Sequence, residues 1–66
     1  MSVAKTIEIT ASSEKGFDDA IKTGIAKAAE TLENITGAWV MDQNVKVKKG
    51  KIAEYSVRMR LTFVLK

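Results

Sequence analysis

The chain has one tryptophan, Trp39, and it stands in Gly37-Ala38-Trp39-Val40-Met41-Asp42-Gln43, a stretch that reads as a strand. Strict alternation puts Gly37, Trp39, Met41 and Gln43 on one face and Ala38, Val40 and Asp42 on the other. A large ring beside a thioether and an amide can stack on a flat ligand and bond to its polar edge. The same face suits an anchor at a contact between subunits, and a place in the monomer's own core is a third reading. Ser56 adds a hydroxyl, and Arg58 or Arg60 can pair either with a ligand phosphate or with Glu8, Asp42 or Glu54 across a subunit contact.

Other chemistries have less to work with. There is no His and no Cys, and no hydroxyl nucleophile has a base beside it, so the sequence predicts a protein that is not an enzyme. Glu14, Asp18 and Asp19 supply oxygen ligands of the kind calcium or magnesium takes, but at a helix start they read first as partners of the helix dipole. Lys46, Lys48, Lys49 and Lys51 cluster at a turn, as in a nucleic-acid contact. No aromatic residue is interleaved with them as a stacking platform requires, so a solvated turn is the better reading and no nucleic-acid partner is expected.

The elements that position these residues follow from periodicity. Val3 to Thr10 alternates as a half-buried first strand, and Ser12 or Ser13 then offers a helix N-cap. Phe17, Ala20, Ile21, Gly24, Ile25, Ala28, Leu32 and Ile35 recur at three- and four-residue steps, predicting one long amphipathic helix. Gly24 lies on its apolar stripe, where close approach to a sheet explains its presence, and Asn34 or Gly37 ends the helix. The second strand spans about Ala38 to Lys48, Lys49-Gly50-Lys51 turns the chain, and the third strand spans Ile52 to Leu65.

Tyr55, Val57, Met59, Leu61 and Phe63 line the face of the third strand that meets the helix, while Ser56, Arg58 and Arg60 face away. The result is a single α+β domain over residues 1–66, β-α-β-β, with a three-stranded antiparallel sheet of order 1-3-2 against the helix. With Ala38 and Val40 on the helix side, Trp39, Met41 and Gln43 fall on the outer face beside Ser56 and the arginines. Such a surface calls for a cover.

Size points the same way. A chain of 66 residues buries only about 60% of the surface its unfolded form exposes. Without cysteine or a metal cluster, self-association is the remaining source of stability. The net charge of +3 is an ordinary solubility feature, and neither a signal-peptide core nor a membrane-length apolar run is seen. A cytoplasmic location is the expectation, with no membrane partner.

The chain resembles the dodecin family. The likeness rests on Ser12-Ser13 after the first strand, on Ala20-Ile21 and Ala28 in the helix, on Thr31-Leu32-Glu33-Asn34-Ile35, on Val40-Met41-Asp42-Gln43, and on Glu54-Tyr55 leading into Val57, Leu61 and Phe63. The resemblance implies a hollow homododecamer, helices outward and sheets inward, that stores or sequesters flavins (riboflavin, FMN or FAD) stacked at subunit contacts. Members that bind flavin in the usual way carry the stacking tryptophan where this chain has Gly37. Trp39 follows two residues later on the same face, about 6.6 Å along the strand. The glutamine that bonds the flavin's polar edge is Ser56 here. The candidate binding residues are therefore Trp39, Gln43, Ser56, Gly37 and Arg58. The alternative is the same shell without the usual flavin, structural or holding another small ligand or a metal ion.

Overall fold

A computed structural model describes residues 3–65. Its elements are β1 (Val3–Ser13), α1 (Phe17–Ala28), β2 (Ile35–Lys48) and β3 (Lys51–Leu65). β3 lies between β1 and β2 and pairs antiparallel with both, which gives the sheet order 1-3-2. The predicted architecture is therefore the observed one.

The hairpin joining β2 to β3 has the tightest geometry available. Lys48 pairs with Lys51, and the two loop residues Lys49 and Gly50 both have positive φ, 52° and 75°. A two-residue loop with that handedness matches the right-handed twist of the strands it joins.

The helix is shorter than its apolar spacing predicts. β1 continues through Ser12 and Ser13, and α1 begins only at Phe17. Ser13 does not cap the first turn: its Oγ accepts the Lys15 backbone N–H at 2.9 Å and donates to Asp19 Oδ2 at 2.6 Å. This local side-chain turn carries the chain from strand to helix. At the other end α1 stops at Ala28, and Ile35 belongs to β2. Asn34, at φ 62°, takes the left-handed conformation, and its carbonyl accepts the Val64 backbone N–H at 3.1 Å.

One face of α1 packs on β1 and β3. Ala20, Val57, Met59 and Leu61 are fully buried, with Ile9, Ala11, Phe17, Ile21 and Ile25 packed around the centre of that cluster. Phe17 meets Tyr55 edge to face, ring centroids 5.1 Å apart, the arrangement favoured by the ring quadrupoles. Gly24 is where helix and sheet touch. A Cβ placed there would lie 2.7 Å from Ala11 Cβ and 3.0 Å from Met59 Cε, so only glycine fits without a shift.

The core is small and the molecule is thin. The principal extents are 51 × 20 × 13 Å, and the Cα radius of gyration is 13.6 Å, against about 11 Å expected of a compact chain this long. The excess comes from a sheet that outruns its helix. Val40, Val47 and Ile52 are left exposed, although the register puts Val40 opposite buried Met59 on the helix side. Among the described residues no helix is long and apolar enough to cross a membrane.

Candidate outer-sheet binding site

The face of the sheet turned away from α1 is fixed by β3, whose Ser56, Arg58, Arg60 and Thr62 alternate with the core residues Val57, Met59 and Leu61. β1 contributes Ser12, Thr10, Glu8 and Thr6 opposite them in that order. β2 contributes Trp39 opposite Arg60 and Gly37 opposite Thr62. Trp39 and Gly37 therefore share the outer face, as alternation predicts.

Gln43 does not join them. The register shifts between Val40 and Asp42, so that Asp42 pairs with Arg58 and Gln43 with buried Val57. A bulge of this kind places two residues opposite one and reverses the sidedness of everything beyond it. Gln43 is consequently on the helix side, and Asp42 and Asn44 take the outer positions expected of Met41 and Gln43. The expectation that Gln43 faces outward is corrected by that one extra residue.

The polar groups of the face are largely engaged with one another. The Arg58 guanidinium donates to Asp42 Oδ2 at 2.5 Å and stands 4.0 Å from Glu8 Oε2, bridging all three strands. Ser56 Oγ lies 3.0 Å from Ser12 Oγ, within hydrogen-bonding distance. Arg60 is differently placed: its nearest carboxylate oxygen is Glu8 Oε1 at 3.9 Å, and among the described residues it makes no side-chain hydrogen bond.

The arrangement near Trp39 fits a flat ring. The indole is 65% exposed, and a Cβ built on neighbouring Gly37 would meet nothing within 4 Å. Trp39 thus presents an exposed ring beside bare backbone, with Arg60 and Thr62 across the strand gap. Ser56 lies four residues from Arg60 along β3, about 13 Å from the Trp39 level. One chain by itself therefore does not bring Trp39 and Ser56 to the same ring edge. Thr62 is the group that the sequence reading omits, and Arg60, which it names as able to pair with a ligand phosphate, is placed directly beside Trp39 only by the cross-strand register.

Among the described residues no group of three or more His, Cys, Asp or Glu side chains comes together within one chain. Lys46 pairs with Glu54 at 3.6 Å at the hairpin.

Comparison with known proteins places the whole chain. The family model for dodecin matches residues 3–66. Dodecin from Streptomyces davaonensis is 31% identical and superposes with a TM-score of 0.94, covering 98% of this chain and 96% of its own. A point mutant of the Thermus thermophilus dodecin is 27% identical, with a TM-score of 0.95 and coverage of 100% and 98%. A calcium dodecin from Mycobacterium tuberculosis, described as calcium-chelating with a novel calcium-binding site, is 27% identical at a TM-score of 0.84, covering 98% and 93%. No match to a curated protein was found. With a family model spanning all but its first two residues and a fold that superposes on solved members along almost its full length, the chain belongs to the dodecin family.

Proposed function

We propose that this chain is the subunit of a hollow homododecamer that binds and stores a flavin, with Trp39 as the stacking surface. Members of the dodecin family are small flavin-binding storage proteins. The observation that carries the reading here is an indole 65% exposed on the outer sheet face beside an unobstructed Gly37. The thin monomer, with only four fully buried hydrophobic residues among those described, supports assembly. Closure of a shell around the outer face would cover Trp39 and raise the affinity of a ring held there by excluding water. The stacking and hydrogen-bonding groups that the face offers suit binding.

A second reading is the same shell with Trp39 as an anchor between subunits. It is favoured by Ser56 and Arg58, whose polar atoms are met within the sheet. Light scattering together with a riboflavin fluorescence titration tests both. A mass near twelve chains with quenching that is lost in Trp39→Ala supports flavin storage. The same mass without quenching supports the anchor, and a monomer overturns the assembly itself.

A further inference from the structure

We infer that Arg60, rather than Arg58, sets the ligand preference of the outer face, and that it selects an anionic flat ligand, a phosphorylated flavin, over a neutral one. The inference rests on Trp39 as the stacking surface and adds a selecting group to it. Directly opposed residues of an antiparallel pair hold their Cβ atoms about 5 Å apart on one face, so the Arg60 side chain rises beside the Trp39 ring. A ligand stacked on that ring has its edge and its substituents within reach of a guanidinium.

The two arginines differ in what already occupies them. Arg58 is held by Asp42 at 2.5 Å and has Glu8 at 4.0 Å, so an anion approaching it must displace a formed charge-assisted hydrogen bond. Arg60 has only Glu8, at 3.9 Å, and Glu8 is the carboxylate that also faces Arg58. With Arg58 matched by Asp42, Glu8 is the counter-charge of Arg60, its cross-strand partner on β1, but at 3.9 Å it is a loose one that leaves the guanidinium beside the indole open to a closer anion. Five N–H donors in a planar fork match a phosphate, and their hydrogen-bonding capacity is unspent. The side chain is also accessible, at 42% exposure.

Thr62 and Thr6, paired across from one another beyond Arg60, complete a rim of hydroxyls and bring no opposing charge. The bare backbone at Gly37 leaves the ring room to slide toward them. The face thus combines an aromatic platform, a flanking cation and small polar neighbours, the elements by which proteins hold an anionic ring system.

The test compares riboflavin with flavin mononucleotide, which differ by one phosphate, by fluorescence quenching against the assembled protein. The expected result is tighter binding of the mononucleotide by about tenfold, the scale of one charge-assisted hydrogen bond, and a preference that shrinks as salt is raised. In Arg60→Gln the two flavins should bind within about twofold of each other. Glu8→Gln, which removes the competing carboxylate, should widen the preference. Light scattering of each variant verifies that the assembly is the same. Equal binding of the two flavins by the parent protein, or a preference that survives in Arg60→Gln, overturns the role of Arg60 while leaving Trp39 stacking intact. Absence of quenching by either flavin overturns both.

Discussion

Gln43 stands opposite Val57, on the helix side of the sheet, although it lies an even number of residues from outward-facing Trp39. The bulge at Met41 is the cause, and it separates two groups that an unbroken strand would place together.

Gln43→Ala should therefore leave flavin binding unchanged to within about twofold, whereas Trp39→Ala should abolish quenching, because only the second side chain is on the outer face. Parallel titrations of the two variants check this. A large loss of affinity in Gln43→Ala would show that Gln43 reaches the ligand from a neighbouring subunit.

Gly24→Ala sets helix propensity against packing. The added methyl group gains up to about 1 kcal/mol in helix propensity. It also drives a carbon to 2.7 Å from Ala11 Cβ, and overpacking of a close contact costs about 1–3 kcal/mol. Packing should win, with a net loss of about 1 kcal/mol and a lower melting temperature. Combining it with Ala11→Gly removes the clashing atom and should recover part of the loss. Thermal denaturation at one fixed protein concentration measures both, since the proposed assembly would make the midpoint concentration-dependent.

Lys49→Asn should stabilise the hairpin. Position 49 holds φ at 52°, a conformation that asparagine adopts more readily than lysine, and Asn-Gly is the preferred pair for a loop of this geometry. The expected gain is about 0.5 kcal/mol, read as a small rise in denaturation midpoint. Gly50→Ala, with φ at 75°, should move the midpoint the other way.

The alternation of β3 and the Lys49-Gly50 turn were legible in the sequence because each rests on local physics: one period of two, and one residue free to adopt positive φ. The β-α-β-β order followed from them. The helix limits were not legible, because Leu32 and Ile35 continue the helical spacing past Ala28 although Ile35 is already in the strand. Ser12 and Ser13 look like caps for the same reason, that a hydroxyl before an apolar stripe serves a strand end as readily as a helix start. The bulge left no mark at all, since Gly37 to Gln43 alternates without a break. It is a property of pairing with β3, and a single strand does not carry its partner's register.

The central strand is read on both sides. Between Val57 and Leu61 every other residue of β3 is packed under the helix, and the residues between them carry the arginines of the outer face. A change on that strand alters either the packing under the helix or the charges of the outer face. β2 is an edge, is scarcely touched by the helix, and can exchange side chains without opening the core. Novelty in such a sheet enters from its margin: a ring carried on β2, as Trp39 is, changes what the outer face presents while the scaffold behind it stays the same.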